Sequence, residues 1–580
     1  MGVTRLRVWA PGKSRVEAVL DDGRRPMASR GGGWWELDSG EVVGGTRYYF
    51  SLDGGPPRPD PRSSWQPDGV EGPSAVVDHA AHDWADGAWR GAHLPSAVLY
   101  ELHVGTFGEA GTFDGAVEHL DELVDLGVDA VELLPVAEFG GSRGWGYDGV
   151  ALYAPHHAYG GPAGLKRLVD ACHLRGLAVV LDVVYNHLGP AGNYLAEYGP
   201  YFTDRYRTPW GSAVNFDGPG SDEVRCFVLD NVRQWFADYH FDGLRLDAVH
   251  AIFDGGALHI LEEVAEVARE VADATGQPRW VVAESDLNDP RLVRCPEAGG
   301  YGLDASWSDD FHHALHAVLT GERAGYYADF GSLGQLARAL RQVYVFGRDW
   351  SPLRGRHHGR RVGDLPGNRF VGYLQNHDQV GNRATGERSG ALMSPGRLRV
   401  AAALVLLAPF VPMLFQGEEW GASTPWQYFT DHQDPALGRA VREGRRREFA
   451  AFGWDPEEVP DPQDPATWRR SRLDWSERAR SPHQELLAWH RALVGLRRAR
   501  PELRSGDRSR VRVEWSEEDR WLVLWRDRTA VAVNLAERAQ ALPTPGADRV
   551  LIASEDRGVT LGAGTVGLPP DAVAVVAPAG

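Results

Sequence analysis

Three acidic residues in this 580-residue chain come directly after or close behind short apolar segments. Asp247 and Glu284 each end such a segment, and Asp378 follows another by three residues. An apolar run of this length predicts a buried strand. In a (β/α)8 barrel, catalytic side chains stand at the C-terminal ends of several strands, on one rim. Three acids on one rim suit glycosidic-bond cleavage, which uses a nucleophile, an acid/base and a carboxylate that holds the sugar.

A fourth segment, Leu177–His187, is apolar and then becomes polar at its end. Together the four segments resemble the four short regions of the α-amylase superfamily (glycoside hydrolase family 13), with the matches at Asp182–His187, Gly243–His250, Glu284 and Asn376–Asp378. The resemblance implies that Asp247 is the nucleophile, Glu284 the acid/base and Asp378 the third carboxylate. The alternative is that such acids only cap strand ends or following helices. For Asp182, structural support of the rim and a catalytic role remain equally open.

Further residues of these segments are expected to bind the substrate. Arg245 lies two residues before Asp247, on the same face of the strand, where it can keep that carboxylate ionised and oriented. The resemblance implies that His187 and His377 donate hydrogen bonds to the sugar before the cleaved bond. It also implies that Tyr147 stacks on this sugar.

Longer segments narrow the resemblance. They are Tyr100–Phe107, Trp145–Val150, Glu284–Asp289, Gln375–Arg383 and Gln416–Gly421. Together they resemble the malto-oligosyltrehalose trehalohydrolases, and the likeness extends over essentially the whole chain. It implies hydrolysis of the α-1,4 bond that joins a malto-oligosaccharide to a terminal trehalose unit. The expected products are free trehalose and a shortened malto-oligosaccharide.

The segment after Asp247 departs from typical α-amylases, which carry Lys-His in the pattern Asp-Ala-x-Lys-His. Here the residues Ala248–Ala251 follow, with His250 in the Lys position. In amylases this neighbourhood helps to bind calcium and the sugar on the reducing side. We therefore expect no metal or other cofactor, and a different acceptor side. The candidates for binding trehalose there, against the alternative of solvated loop acids, are His250, Asp286, Asn288, Asp309 and Asp310.

The chain is too long for one domain. Residues 1–90 predict an N-terminal β-sandwich, a starch-binding-like module by resemblance. Residues 91–505 predict a (β/α)8 TIM barrel with an insertion at about 187–220, and residues 506–580 predict a C-terminal β-domain, so the fold class is multidomain α/β. The eight barrel strands are expected near 97–104, 130–134, 177–183, 243–247, 280–284, 302–307, 370–375 and 411–415, and the last helix at 482–498.

Composition and charge argue against several classes of protein. The net charge of −19 opposes nucleic-acid binding, because phosphate recognition needs a basic surface. No apolar run reaches the roughly 18 residues of a membrane span. The segment Met1–Arg7 lacks a signal-peptide core, so a cytoplasmic location is expected. Cys172, Cys226 and Cys295 lack metal-ligand spacing and are expected to be buried thiols in a reducing compartment.

The expected partners are malto-oligosyltrehalose and malto-oligosaccharides, bound by a monomer or a homodimer. Two other interpretations remain open. A glycogen branching or debranching enzyme would share the N-terminal sandwich and the barrel. A catalytically inactive glucan-binding protein could use the same fold, although the intact acids Asp247, Glu284 and Asp378 argue against it.

Overall fold

Eight parallel strands close into a central barrel. This computed structural model describes residues 5–37, 42–451, 455, 457–555 and 557–579. The barrel strands, called first to eighth below, are Leu99–Leu102, Ala130–Leu133, Ala178–Val183, Gly243–Leu246, Trp280–Ala283, Ala305–Trp307, Phe370–Tyr373 and Val411–Phe415. The (β/α)8 fold and all eight predicted strands are confirmed.

Side chains alternate between the inside and the outside of the barrel. In the third strand, Ala178 and Val180 belong to the core inside the barrel, whereas Val179 and Leu181 belong to the core shared with the surrounding helices. Asp182 is the next residue on the inner face. Because strand side chains alternate with a period of two, the register that fills the barrel with apolar side chains also turns the acids at the strand ends inward.

Helices follow most of the strands. The main helices are Leu120–Leu126, Gly161–Leu174, Ser221–Ala237, Ile260–Thr275, Asp309–Thr320, Pro395–Leu406 and His483–Ala499. The others are Val104–Phe107, Phe113–Val117, Leu195–Tyr198, Leu333–Gln342, His377–Gly381, Ser389–Leu392, Pro435–Ala451, Pro465–Arg470 and Pro501–Arg504. The connection 284–304 after the fifth strand holds only the short 3-10 turns Pro290–Leu292 and Pro296–Ala298. Two prolines in so short a segment prevent a regular helix there.

Two β-rich regions flank the barrel, as predicted for the fold class. The N-terminal sheets are Arg7–Trp9, Trp34–Glu36 and Ala28–Gly31 in one, and Gly23–Pro26, Val16–Leu20, Arg47–Leu52, Pro57–Arg58 and Ser74–Ala75 in the other. The C-terminal sheets are Val511–Ser516, Trp521–Arg526, Thr529–Asn534, Ala572–Ala577 and Arg549–Ala553, and Gln540–Pro543, Thr565–Leu568 and Thr560–Gly562. The domain boundaries remain predictions.

The N-terminal sheets contact the long segment after the third strand. Trp9 meets the ring of Tyr201 edge to face at 5.5 Å, and Nε1 of Trp34 donates to Oε1 of Glu223 at 3.0 Å. Three hairpins extend from the barrel rim: Ala137–Glu138 with Ala151–Pro155, Phe202–Thr208 with Gly211–Val214, and Asp349–Ser351 with Arg356–His358. In the part of the chain that the structure describes, no helix is both long and apolar enough to cross a membrane.

One expectation about the cysteines is wrong. Cys172 is buried as expected, but Cys226 and Cys295 are exposed. Cys226 lies on a barrel helix, where a residue next to a buried position can face solvent. Cys295 lies in the connection after the fifth strand, which lacks a covering helix.

Glu132 is a buried acid on the inner side of the second strand. Its side chain is almost fully buried, and neither carboxyl oxygen has a hydrogen-bond partner among the described residues. Its register neighbour on the first strand is Glu101. Burial and the charge of Glu101 raise the pKa of Glu132 well above its usual range. Glu132 is therefore protonated in the folded protein and ionised near neutral pH in the unfolded chain.

Replacing Glu132 with Gln should remove a pH-dependent loss of stability. Because only the folded protein retains this proton, wild-type stability falls as pH rises from the unfolded pKa of about 4.3 towards the raised folded pKa, by at most about 1.4 kcal/mol per pH unit. Thermal unfolding of both proteins between about pH 5 and about pH 8 should show a difference that grows with pH. A constant difference would mean that Glu132 is already ionised when folded.

Candidate active site

A fully buried arginine, Arg245 of the fourth strand, gathers the carboxylates at the mouth of the barrel. Its Nη1 donates to the two carboxylate oxygens of Asp182 at 2.8 and 2.7 Å and to Oδ1 of Asp247 at 3.0 Å. Its Nη2 lies 3.0 Å from Oε2 of Glu284. The guanidinium carbon is 4.3 Å from the ring centroid of Trp307. Three carboxyl groups thus share one cation.

The register of the parallel strands brings these groups together. Asp182 and Arg245 are direct neighbours on the third and fourth strands. The backbone N–H of Asp247 donates to a carbonyl of the third strand, and that of Glu284 donates to a carbonyl of the fourth strand, each at 3.0 Å. The ladder therefore continues beyond the strand ends and fixes the backbone of both acids.

Burial and charge together set the protonation of this cluster. Burial raises the pKa of Asp247, and the charge of Arg245 opposes this effect. Burial raises the pKa of Asp182 in the same way, again against Arg245. Burial alone would lower the pKa of Arg245, but the charges of Asp182 and Glu284 outweigh it and raise this pKa. The guanidinium therefore stays positive, and its hydrogen bond to Asp247 favours the ionised carboxylate.

A hydrogen-bonded chain joins the cluster to the end of the seventh strand. The hydroxyl of Tyr147 donates to Oδ2 of Asp182 at 2.6 Å and lies 2.7 Å from Nε2 of His377. Nδ1 of His377 lies 2.5 Å from Oε1 of Glu101. Burial disfavours a charged imidazole, but the charges of Glu101 and Asp378 outweigh burial and raise the pKa of His377 to about 9. His377 is therefore an imidazolium near neutral pH, with both ring nitrogens donating.

Asp378 and His187 lie beside this chain. The side chain of Asp378 is 39% exposed, and its Oδ1 accepts from Nδ2 of Asn382 at 3.3 Å. Nε2 of His187 lies 3.0 Å from the carbonyl oxygen of Tyr147, and its ring stacks on Trp210 with centroids 4.3 Å apart. Burial lowers the pKa of His187 to about 4, so this ring is neutral near neutral pH.

The structure brings the predicted catalytic and ring-binding residues to one rim. Through the contacts above, these are Asp247, Glu284, Asp378, Arg245, His187, His377 and Tyr147. The ring of Tyr147 is partly exposed and stacks on His377 with ring centroids 5.1 Å apart. Asp182 contacts Arg245 and Tyr147, which favours its interpretation as structural support for the rim.

Three residues predicted for the acceptor side are accessible. Asp286 and Asp309 are partly exposed, and His250 is exposed on a short turn after the fourth strand. Asp309 accepts from the hydroxyl of Tyr373. Oδ2 of Asp286 accepts from Nη2 of Arg354 at 3.4 Å.

The other two predicted acceptor-side residues are internal. Asn288 and Asp310 are each 3% exposed. Oδ2 of Asp310 accepts from Nδ2 of Asn288 at 2.9 Å and from the backbone N–H groups of Val345 and Phe346 at 2.7 and 2.8 Å. Both side chains are bound by protein partners that hold neighbouring loops together, and their direct contact with sugar remains a prediction.

Two functional features were not predicted from the sequence. The hairpin Asp349–His358 reaches the side predicted to bind trehalose, where Nε2 of His358 lies 2.8 Å from the carbonyl oxygen of Asp286. The basic residues of this hairpin are its one local signal, and a charge pattern alone indicates a solvated surface. The role of Glu101 as partner of His377 was also unpredicted, because 276 residues separate the two.

A group of possible metal ligands lies outside this cluster. Within the described residues, Glu138, His156 and His157 have ligand atoms that all lie within 4.8 Å of one another. The Nδ1 atoms of His156 and His157 are 3.1 and 2.7 Å from Oε1 of Glu138. The sequence spacing did not reveal this group, because pairing of two short strands brings it together. The three side chains also serve one another as hydrogen-bond partners.

Comparisons with known proteins agree with the fold. The catalytic-domain family of alpha amylases matches residues 81–208, and a domain of unknown function (DUF3459) matches residues 506–575. The malto-oligosyltrehalose trehalohydrolase of Arthrobacter ramosus is 55% identical, over 86% of this chain and 87% of the relative. That of Rhizobium sp. (strain M-11) is 48% identical, over 99% and 98%.

This chain belongs to the malto-oligosyltrehalose trehalohydrolase family. A crystal structure of a Salmonella typhimurium protein assigned to the alpha amylases has a TM-score of 0.91, with 40% identity over 99% of this chain and 98% of that one. Membership in the trehalohydrolase family confirms the resemblance drawn from the motifs, and it favours this interpretation over a branching or debranching enzyme. The cytoplasmic location remains a prediction.

Replacing Tyr147 with Phe should destabilise this trehalohydrolase-family protein. The substitution removes a hydroxyl that bonds two buried groups. Asp182 keeps its hydrogen bonds from Arg245, but Nε2 of His377 loses its partner, and leaving such a buried group unpaired costs about 1–3 kcal/mol. Tyr428→Phe is a matched control, because its hydroxyl has no protein hydrogen bond among the described residues. Denaturant unfolding should show a clear loss for Tyr147→Phe and little change for Tyr428→Phe. Equal stability of the two variants would show that the hydrogen bonds of the Tyr147 hydroxyl do not stabilise the protein.

Proposed function

We propose that this chain is a retaining α-glycosidase that cleaves the α-1,4 bond next to the terminal trehalose of malto-oligosyltrehalose. The observation that carries the proposal is the pairing of Asp247 and Glu284 on the two terminal nitrogens of Arg245. Retaining glycosidases need two neighbouring carboxyl groups, about 5 to 5.5 Å apart, one to attack and one to protonate. The substrate is inferred from the names of the relatives.

In the first step, a carboxylate oxygen of Asp247 attacks the anomeric carbon of the sugar before the cleaved bond. Glu284 donates its proton to the glycosidic oxygen, and the carbon–oxygen bond breaks. Trehalose leaves with that proton as a hydroxyl group. A β-glycosyl ester of Asp247 remains, and Arg245 keeps the attacking carboxylate ionised and in place until the bond forms.

In the second step, the ionised Glu284 takes a proton from a water molecule as this water attacks the anomeric carbon. The ester bond to Asp247 breaks, and its carboxylate is regenerated. The shortened malto-oligosaccharide leaves with the α configuration, since two inversions restore the original one. Glu284 is again protonated, so each turnover consumes one water.

The donor-side sugar is held by the wall that contains Asp378. Its accessible carboxylate accepts hydrogen bonds from hydroxyl groups of this sugar, and the partly exposed ring of Tyr147 stacks on it. His377 and His187 fix the position of Tyr147, one at its hydroxyl and one at its backbone carbonyl. These contacts support a rigid subsite in which binding favours the transition state.

The trehalose side is formed by Asp286, Asp309 and His250, together with Arg354 from the hairpin. Carboxylates and a guanidinium match the hydroxyl groups of a compact, non-reducing disaccharide. Burial raises the pKa of Asp309 to about 7. Asp309 can therefore donate as well as accept a hydrogen bond near neutral pH.

Replacing Asp247 with Asn should lower the turnover rate at least about a thousandfold, because an amide has nearly the same shape but is a far poorer nucleophile. Glu284→Gln should lower the rate on natural substrate by about 10²- to 10⁴-fold, because the leaving oxygen is no longer protonated. Steady-state hydrolysis of maltotriosyltrehalose measures both effects.

A fluoride leaving group separates the two roles. α-Maltosyl fluoride needs no acid to release fluoride, so Glu284→Gln should still form the glycosyl ester, whereas Asp247→Asn should not. The exposed Asp364→Asn is the control and should retain wild-type rates. Near-wild-type turnover by Asp247→Asn would rule out the assigned nucleophile.

Wild-type protein should hydrolyse maltotriosyltrehalose far faster than maltopentaose, which has the same number of glucose units. Both present an α-1,4 bond to Asp247 and Glu284, so discrimination must come from the trehalose side. Each unpaired polar group in the wrong complex costs roughly 1–3 kcal/mol, and two such losses give about a hundredfold preference or more. Sugar analysis of parallel digests measures the ratio.

Asp286→Ala should reduce this preference more than it slows cleavage of maltopentaose. The side chain lies on the trehalose side and contacts Arg354, away from the donor-side wall. Equal wild-type rates on the two substrates would reduce the function to that of a general α-1,4-glucanase.

A further inference from the structure

Helix Pro435–Ala451 follows the eighth strand and returns to the end of the short helix His377–Gly381, which carries Asp378. Nη2 of Arg445 donates to the carbonyl oxygen of Gly381 at 2.9 Å, and Nη1 donates to Oδ1 of Asn382 at 3.2 Å. The amide of Asn382 is thereby oriented, because its oxygen accepts from a charged donor and its nitrogen must point the other way. That nitrogen donates to Oδ1 of Asp378 at 3.3 Å.

Arg445 is fixed by its surroundings. Its side chain is 14% exposed, and its guanidinium carbon lies 4.9 Å from the ring centroid of Tyr428 and 4.8 Å from that of Phe449. Glu448 lies at 3.5 Å but is half exposed, so this ion pair contributes little. A guanidinium that packs against two rings has few alternative positions, which makes it a suitable anchor for the neighbouring helix end.

The rest of the helix offers a direct comparison. Arg447 is two residues further along, with a side chain that is 74% exposed and 3.9 Å from Glu443. It has the same charge and lies on the same helix, but it faces solvent. The contact of Arg445 with the end of the helix that carries Asp378 is therefore specific to its position and not a general property of a basic helix.

We propose that Arg445 and Asn382 are positioning residues for Asp378, which set the orientation of its carboxylate towards the donor-side sugar. The proposal rests on the function proposed above, because it assigns Asp378 to that sugar. Asn382 holds Oδ1, which leaves Oδ2 for the sugar hydroxyls. A carboxylate that grips the distorted ring acts most strongly in the transition state, so its orientation determines kcat more than substrate affinity.

Arg445→Ala should lower kcat by about tenfold to a hundredfold, the effect of a small misplacement at a catalytic group. KM should change less than kcat, and Arg447→Ala should behave as wild type. Arg445→Lys should recover part of the loss, because one donor remains. Millimolar guanidinium chloride should restore activity to Arg445→Ala and not to Asp378→Ala. Equal activity of Arg445→Ala and Arg447→Ala would overturn the proposal.

Substitutions of Asn382 test whether the side-chain amide of Asn382 transmits the effect of Arg445 to Asp378. Asn382→Ser can still donate and should be mildly affected, and Asn382→Ala should resemble Arg445→Ala. Asn382→Asp removes the donor and adds a negative charge beside Asp378, so it should have the largest effect. If Asn382→Asp were as active as Asn382→Ser, Asn382 would not orient Asp378.

A double-mutant cycle and two substrates separate this proposal from the proposed function. Arg445→Ala should cause no further loss of activity in Asp378→Ala, since Arg445 acts through Asp378. Additive losses would overturn the proposal.

Arg445→Ala should slow the hydrolysis of maltotriosyltrehalose and of maltopentaose by the same factor, because both substrates place the same sugar beside Asp378. If the wild-type protein showed no preference for the trehalose-ended substrate, the proposed function would be wrong. The factor by which Arg445→Ala slows both substrates could still be measured. A crystal structure of Arg445→Ala should show Asp378 rotated, and an unmoved carboxylate would contradict the proposal without reference to activity.

Discussion

The architecture of the rim depends on one buried charge, the guanidinium of Arg245. An arginine with no exposed surface is unfavourable unless carboxylates and hydrogen bonds compensate for its lost solvation. Here Asp182, Asp247 and Glu284 provide that compensation from three adjacent strands. A shift of one residue in the register of the fourth strand would turn Arg245 out of the barrel. The strand register that holds Arg245 inside the barrel therefore also fixes the geometry of the acids.

A second constraint links distant parts of the barrel. The chain from Glu101 through His377 and Tyr147 to Asp182 joins the first, seventh and third strands and the loop after the second. The imidazolium of His377 is balanced by Glu101 below the rim and has Asp378 beside it. The positive charges of Arg245 and His377 thus lie among the carboxylates of the rim. This arrangement lets several acids remain close together without all of them taking up protons.

The sequence was informative where structure is determined by local pattern. All eight strands and the acids at their ends follow from short apolar runs, and the last helix follows from a helical pattern. It was uninformative where contact depends on distant segments. Asn288 and Asp310 have the composition of sugar-binding residues, yet they bind each other and the 345–346 backbone. Arg354, Arg445 and Glu101 reach the site across long separations, which no local pattern encodes.

The two sides of the proposed cleft differ in how they are built. The acids that act on the anomeric carbon are fixed by strand register and by Arg245, so their geometry follows from the barrel itself. The trehalose side uses loops and the hairpin Asp349–His358, whose contact with Asp286 does not depend on strand pairing. Loops can change without disturbing a barrel, whereas the acids at strand ends cannot move without breaking the register. The same rim can therefore keep one chemistry while its long connections select the sugar that leaves.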